Sequence, residues 1–265
     1  MAEPSYTDLL RLAREVAVEA AALVRERRRH GVEVADTKSS SVDIVTEVDR
    51  AAEELIYRRL MAVRPTDGFV GEEGGSSESE SGVTWIVDPI DGTVNFLYGI
   101  PQYSISIAAT YHGETVVGVV VNVETGEVFE ATRGGGATCD GRPLRVRRPG
   151  PLSERLVVTG FSYVAEVRRV QATAVGNLLT EVRDIRRLGS AALDLAAIGA
   201  GRADGYVEEG LNPWDMAAGG LIATEAGARL ETRPGIGGKD CVICAPEEGF
   251  DAFADLVSRS GFLRE

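Results

Sequence analysis

Long apolar runs are missing from this 265-residue sequence. No stretch reaches the roughly 18 apolar residues that a membrane-spanning helix needs, so we predict no membrane span. The first residues, MAEPSYTDLLRLAREVAVEAA, carry acids early and no basic segment ahead of an apolar core, which is not the pattern of a signal peptide. The three cysteines are few and odd in number, which suits a reducing compartment. We therefore expect a cytoplasmic protein.

Positive charge is also scarce. The chain has 28 lysines and arginines against 41 aspartates and glutamates, a formal net charge of −13, whereas a surface that binds duplex nucleic acid needs the opposite sign. The densest basic run, Arg25 to Arg29, ends a predicted helix, where cations are favourable. We therefore expect no nucleic-acid partner. An acidic protein that handles an anionic substrate needs a positive group at its site, and bound metal ions can supply it.

Histidine is nearly absent, since only His30 and His112 occur. Both fall at predicted surface positions, which argues against a Ser-His-Asp catalytic site. Cys241 and Cys244 form a C-x-x-C pattern on a predicted strand, where positions three apart point to opposite faces. The two thiols cannot grip one metal ion together, so we expect them to be buried structural residues.

The chain changes character near residue 150. Before it, two amphipathic helices at 9–24 and 48–62 precede a mostly β stretch, with strands predicted in 84–88, 103–111, 114–123 and 126–134. Short connections between these strands indicate antiparallel pairing, and the polar stretch GGSSESESG at 74–82 indicates a surface loop. We predict an α+β lobe over residues 1–148.

The second half alternates strands with helices. We predict strands at 155–160, 183–188, 203–209 and 241–245, and helices at 166–181, 190–200, 216–226 and 248–260. Alternation of this kind is typical of a parallel or mixed sheet that helices cover. We predict an α/β lobe over residues 149–265.

The segment WIVDPIDGTVNF places Asp88 and Asp91 where an apolar strand is expected to end. A turn that Pro89 and Gly92 favour would let both carboxylates, and the carbonyl of Ile90, converge on one point. Carboxylate and carbonyl oxygens are hard ligands that suit Mg²⁺ or Mn²⁺. The ordinary alternative is a solvated corner with local hydrogen bonds from the aspartates.

Backbone N–H groups at the Gly92-Thr93 step, at the start of a helix, could hold a phosphate. Three further acidic clusters have ordinary explanations when taken singly. Glu72, in VGEEGG, could be a charged loop tip, and Asp215 is expected at the N-cap of a helix that ends at Gly227. Asp43, Glu47 and Asp49 precede or begin the second predicted helix, where capping again explains much of the pattern. Together, however, the clusters supply carboxylates from separate elements in both halves, which is how a two-metal site is built.

Three motifs in this order resemble one known family. WIVDPIDGTVNF, preceded by GEE and followed by WDMAAGGLIATEAGA, is similar to the inositol monophosphatase family, and most of all to its bacterial, SuhB-like members. The resemblance extends from KSSSVDIVTEVD to the last predicted helix. It implies a layered αβαβα sandwich of the inositol monophosphatase/fructose-1,6-bisphosphatase type, a homodimer, and a Mg²⁺-dependent phosphomonoesterase that Li⁺ inhibits.

The same resemblance implies roles for individual residues. The implied metal ligands are Glu72, Asp88, the Ile90 carbonyl, Asp91 and Asp215. The implied catalytic residues are Glu72 and the pair Asp49 and Thr93, which helps to orient the attacking water. The implied substrate contacts are the backbone of Gly92 and Thr93, together with Gly189, Ser190, Ala191, Glu208 and Asp215. Lys38 falls in a loop that closes over the site, and Val94 departs from a threonine that many members have.

We therefore expect hydrolysis of inositol monophosphate, or of a related sugar or polyol phosphate, by in-line attack of a metal-activated water. Two or three Mg²⁺ ions are expected, with Mn²⁺ as a possible substitute. Two alternatives stay open. The same chemistry could act on fructose-1,6-bisphosphate, 3′-phosphoadenosine 5′-phosphate or histidinol phosphate, or the chain could be a regulatory binding protein of the transcription machinery.

Overall fold

The computed structural model describes residues 3–30, 34–37 and 44–264 of the chain. Its α-helices are α1 (Tyr6–Arg29), α2 (Glu47–Val63), α3 (Thr93–Tyr98), α4 (Ala165–Leu179), α5 (Ala191–Gly199), α6 (Pro213–Glu225) and α7 (Phe250–Ser260). Its strands are β1 (Val34–Thr37), β2 (Ile44–Thr46), β3 (Gly68–Gly71), β4 (Ser76–Ser77), β5 (Val83–Asp91), β6 (Ser104–Tyr111), β7 (Glu114–Asn122), β8 (Val128–Thr132), β9 (Gly136–Cys139), β10 (Arg142–Pro143), β11 (Leu156–Thr159), β12 (Asp184–Arg186), β13 (Gly205–Glu209), β14 (Ala228–Pro234) and β15 (Asp240–Pro246).

The first half builds an eight-stranded sheet in the order β10-β9-β8-β7-β6-β5-β3-β4. From β5 to β10 every neighbour is antiparallel, as the short connections predicted, whereas β3 and β5 are parallel. Strands β6 and β7 are buried along almost their whole length. Helices cover both faces of these strands, which explains why their sequences are continuous apolar runs.

The second half builds a five-stranded mixed sheet in the order β12-β11-β13-β15-β14. Strand β11 is parallel to both of its neighbours, and the pairs β13–β15 and β14–β15 are antiparallel. This confirms the mixed sheet that the alternation of helices and strands predicted. Strand β14 was not predicted, although Ala228 and Leu230 alternate with Arg229 and Glu231 at its start.

Five layers follow from the packing of these elements. Helices α1 and α2 pack on the outer face of the large sheet, α5 and α6 lie between the two sheets, and α4 and α7 cover the outer face of the small sheet. The predicted αβαβα sandwich is confirmed. One apolar cluster joins residues of both halves, with Val120 and Phe129 of the large sheet against Leu193 and Ile222 of α5 and α6.

Several local predictions can be compared with the structure. Cys241 and Cys244 are buried in different apolar clusters on opposite faces of β15, as the strand geometry predicted. His30 and His112 are exposed, also as predicted. The polar stretch 74–82 is not wholly a loop, because β4 pairs there with β3. Within the described part of the chain, no helix combines the length and the apolar character needed to cross a bilayer.

Candidate active site

Asp88 and Asp91 lie on the same side of β5 because the strand carries a bulge between them. Asp88 pairs with Ser106 and Asp91 pairs with Ser104, so three steps on β5 match two steps on β6. Without the extra residue, positions three apart would face opposite sides of the sheet. The prediction that a strand ends at Asp88 is therefore wrong in detail, since pairing resumes at Asp91. The expected convergence of the two carboxylates is nevertheless found.

Glu72 reaches the same place from the neighbouring strand. Strands β3 and β5 run parallel with Gly71 opposite Val87, so Glu72 and Asp88 leave adjacent carboxyl ends of the sheet. The Glu72 N–H donates to the Val87 carbonyl at 3.2 Å, and the Glu72 side chain lies near enough to Asp88 to raise the pKa of that carboxyl. Ligands commonly gather at such an edge of a sheet.

Asp215 comes from the second half, on the first turn of α6. The N-cap of this helix is Asn212, and Asp215 is the third helical residue, whose Oδ2 accepts the Asn212 N–H at 2.6 Å. The prediction that Asp215 is itself the N-cap was wrong because Pro213 occupies the first helical position. Ser106 ties this turn to the large sheet by donating to the Trp214 carbonyl at 3.2 Å.

Ligand oxygens of Asp88, Asp91 and Asp215 all lie within 4.8 Å of one another. Burial raises the pKa of Asp91 to about 6. Burial and then the charge of Glu72 raise the pKa of Asp88 well above its usual range, and burial does the same for Asp215. Three desolvated carboxylates in such proximity repel one another unless protons or cations lie between them. Their hard oxygens fit a divalent ion such as Mg²⁺.

Asp91 is also held by the start of α5. Its carboxylate accepts the Ser190 hydroxyl, the Ala191 N–H at 3.2 Å and the Ala192 N–H at 2.9 Å. These donors belong to the N-cap and first turn of a helix, where an anion is favourable. Ser190 and Ala191 thus contact Asp91 in the structure, and both line the cavity described below. Their predicted contact with substrate stays a prediction.

Asp49 and Thr93 form the predicted pair. The Thr93 hydroxyl lies 3.2 Å from Oδ1 of Asp49 and 3.1 Å from the Ile90 carbonyl. Asp49 is the third residue of α2, in a capping box with Thr46. Burial raises the pKa of Asp49 to about 6. The backbone of Gly92, at φ 98°, turns the chain directly from Asp91 into α3, a conformation that glycine adopts without strain.

Glu208 lies on β13, across the cavity from the large sheet. Burial raises its pKa to about 7, and the Tyr206 hydroxyl donates to its Oε2 at 2.8 Å. Gly160 leaves room for this carboxylate, because a Cβ there would lie 2.0 Å from Oε1. Nearby on α5, Asp194 is buried, and its Oδ1 has no hydrogen-bond partner among the described residues.

A cavity of about 480 Å³ joins these groups. Its lining includes Glu72, Asp88, Ile90, Asp91, Gly92, Thr93, Gly189, Ser190, Ala191, Glu208 and Asp215. Every predicted metal ligand and substrate contact therefore lies on one cavity. Asp49 is not part of the lining but is hydrogen-bonded to Thr93, which is. Lys38 and Asp43 lie outside the described residues.

Some groups that support the site were missed. Glu53, buried on α2, accepts backbone N–H groups of the Glu72 turn. It lies four residues after Asp49 and so on the same helix face, a signal that the sequence did contain. The N–H of Ala192 and the hydroxyl of Ser104, which lies 3.4 Å from Asp91, left no such signal. The Ala192 contact depends on how the two halves meet, and the Ser104 contact depends on the register between β5 and β6.

Known proteins are similar to this chain over most of its length. Residues 5–256 match the sequence model of the inositol monophosphatase family. The chain is 45% identical over 257 residues to the inositol-1-monophosphatase SuhB of Mycobacterium tuberculosis, an alignment that covers 90% of this chain and 89% of that protein. It is 40% identical over 221 residues to the Nus factor SuhB of Escherichia coli, with 83% of each chain covered.

Solved structures extend the likeness to three dimensions. The crystal structure of the extragenic suppressor protein suhB from Bartonella henselae superposes with a TM-score of 0.88 at 34% identity, covering 95% of this chain and 99% of that one. Mycobacterium tuberculosis SuhB superposes with a TM-score of 0.85 at 40% identity, covering 99% of this chain and 100% of that one. The chain belongs to the inositol monophosphatase family.

Proposed function

We propose that the protein is a Mg²⁺-dependent phosphomonoesterase that hydrolyses inositol monophosphate or a related polyol phosphate. The observation that carries the proposal is the meeting of Asp88 and Asp91 of β5 with Asp215 of α6, within 4.8 Å on the wall of a 480 Å³ cavity. Family membership supports phosphatase chemistry.

Metal binding would use the oxygens already described. Asp88, Asp91 and Asp215 would hold one ion, and Glu72, Asp88 and the Ile90 carbonyl would hold another. When bound, the ions supply Lewis-acid chemistry, which polarises the phosphate ester and lowers the pKa of the attacking water. The ions also invert the sign of an otherwise acidic cavity, so that an anionic substrate can enter it.

The remaining groups orient the reactants. Asp49 accepts a hydrogen bond from the Thr93 hydroxyl, which leaves the lone pairs of the Thr93 oxygen free to accept a hydrogen bond from the attacking water. The Gly92 and Thr93 N–H groups would hold the phosphate, and Ser190 fixes Asp91 by donating its hydroxyl to the carboxylate. No residue needs to form a covalent intermediate.

Glu208 supports a polyol as the leaving group. Its carboxylate lines the cavity and can accept hydrogen bonds from vicinal hydroxyls. Because Tyr206 occupies one of its oxygens, the other is available to the substrate. Gly189, Ser190 and Ala191 line the cavity beside it and would complete the contact.

A phosphate-release screen tests the proposal. Purified protein with Mg²⁺ is given inositol 1-phosphate, fructose-1,6-bisphosphate, 3′-phosphoadenosine 5′-phosphate and histidinol phosphate, and Asp91→Asn serves as the inactive control. We expect the highest kcat/KM on the inositol ester. Preference for the nucleotide or the amino alcohol would reject the polyol assignment, and no Mg²⁺-dependent release from any ester would reject the function.

The proposal includes an oligomeric state. We expect a homodimer, which sedimentation would contradict if micromolar protein ran only as a 28.2 kDa monomer.

A regulatory role is the second candidate function, favoured by the likeness to the Escherichia coli protein named Nus factor SuhB. Binding of purified RNA polymerase that Asp91→Asn leaves intact would support that role independently of catalysis.

A further inference from the structure

A buried carboxylate on α2 grips the turn that carries Glu72. Glu53 is 7% exposed, and its two oxygens accept different N–H groups of the turn. Oε2 accepts from Glu73 at 2.8 Å and Oε1 accepts from Gly75 at 3.0 Å. A carboxylate that accepts two backbone N–H groups fixes the position of both amides.

The turn is shaped to admit this carboxylate. A Cβ at Gly71 would lie 2.3 Å from Glu53 Oε2, and a Cβ at Gly75 would lie 2.8 Å from Oε1. Neither glycine has a positive φ, so a left-handed backbone does not explain them. Their missing side chains instead leave the space that the Glu53 head group fills.

The hydrogen bonds that Glu53 accepts constrain the position of Glu72 directly. On one side, the Glu72 N–H donates to the carbonyl of Val87, one residue before Asp88. On the other side, the next residue, Glu73, donates to Glu53, and the Gly71 N–H closes the turn on the Gly75 carbonyl at 2.8 Å. Glu72 is thus fixed between the large sheet and α2, with its side chain on Asp88.

We propose that Glu53 is a positioning residue that sets how Glu72 enters the metal-binding cluster. Helix α2 then serves the site twice, through Asp49 at its first turn and through Glu53 one turn later. The inference rests on the proposed role of Glu72 as a metal ligand. It assigns no contact between Glu53 and a metal or substrate.

Glu53→Gln tests the contact with little change in shape. Glutamine has one acceptor oxygen, so its amide group must face one of the two N–H donors. Glu54→Gln is the matched control, because Glu54 neighbours it on α2 but is exposed and pairs with Arg58. Gly75→Ala is a second variant that pushes the Glu53 head group from the turn, without altering α2.

Two readouts are needed. Hydrogen exchange of the metal-free protein, resolved by NMR, reports the amides of Glu73 and Gly75, and calorimetry reports the dissociation constant for Mg²⁺. In Glu53→Gln and Gly75→Ala we expect at least one of these amides to exchange about tenfold faster and Mg²⁺ to bind about tenfold more weakly, the size typical of groups that orient metal ligands. Glu54→Gln should leave both unchanged.

Three outcomes would overturn the inference. Unchanged amide exchange would mean that Glu53 does not hold the turn. Faster exchange with unchanged Mg²⁺ affinity would mean that the contact is only structural. A wild-type protein that binds no Mg²⁺ would contradict both the proposed function and the inference. Mg²⁺ binding by the wild type is therefore measured before any variant is made.

Discussion

Replacing Asp91 by asparagine separates the two tasks of this carboxylate, which are to accept donors from α5 and to bind metal. Asparagine keeps the shape and one acceptor oxygen. It removes the charge and places an NH₂ group against one of the donors from Ser190, Ala191 and Ala192. The metal-free and metal-bound proteins should therefore respond differently.

The two effects on the metal-free protein oppose each other. A rise in the pKa of Asp91 from 3.8 to about 6 means that its charge costs about 3 kcal/mol of folding stability at neutral pH. The amide removes that cost, but it leaves one buried donor unpaired, at about 1–3 kcal/mol. We expect the free energy of unfolding of metal-free Asp91→Asn to lie within about 2 kcal/mol of wild type, on the stabilising side.

Mg²⁺ should stabilise Asp91→Asn less than the wild type, because the variant lacks one carboxylate ligand. At a concentration 100 times its dissociation constant, an ion that binds only the folded state stabilises it by about 2.7 kcal/mol. If the substitution weakens binding about 100-fold, the same concentration gives only about 0.4 kcal/mol. Urea unfolding with and without Mg²⁺ measures this stabilisation in the wild type and in Asp91→Asn. The control is Asp255→Asn, on an exposed residue of α7. An undiminished Mg²⁺ effect in Asp91→Asn would refute the reasoning.

Three further predictions follow from the site. Because burial raises the pKa of Asp49 and of Asp91 to about 6, the folded state binds more protons than the unfolded chain between about pH 4 and 6. Metal-free stability should thus fall as the pH rises through that range, and an unfolding free energy that is flat from pH 4 to 7 would contradict this. Glu208→Ala should lower kcat/KM for inositol 1-phosphate about 10-fold or more through a lost hydrogen bond to a charged group, with little effect on p-nitrophenyl phosphate; equal losses on both would count against hydroxyl recognition. Li⁺, with half the charge of Mg²⁺, should inhibit uncompetitively with respect to substrate, and initial rates showing purely competitive inhibition would tell against trapping after chemistry.

Local sequence patterns predicted the helices and strands but not how the strands pair with one another. Helices α1 and α7 and strands β6 and β7 have strong periodicity or long apolar runs, and all four were found. The bulge between Asp88 and Asp91 was not predicted, although it decides which side of the sheet each carboxylate faces. Its register depends on β6, and such pairing is a property of two strands rather than of one segment.

The site residues divide in the same way. Asp88, Asp91 and Asp215 stand in motifs and were expected, whereas Glu53 was missed although it shares a helix face with Asp49. Asp215 was predicted as the N-cap but is the third helical residue, because its capping pair with Asn212 can be recognised in the sequence only once Pro213 is placed first in the helix. Contacts across the fold, such as Ser190 to Asp91, could not be read from either segment alone.

Asp91 belongs to the sheet of the first half, yet besides Ser104 of that sheet its carboxylate accepts from Ser190, Ala191 and Ala192 at the start of α5 in the second half. The same junction is tied by Asn95, whose side-chain amide donates to the carbonyls of Gln102 and Leu188, both at 2.7 Å. The Gly92 backbone also passes so close to the Gly189 carbonyl that a Cβ would lie 3.0 Å from it. The carboxylate cluster therefore exists only when the halves are joined. By linkage, any ion that binds this cluster must also stabilise the junction, so the division at 148/149, which stays a prediction, would separate lobes that complete their site only together.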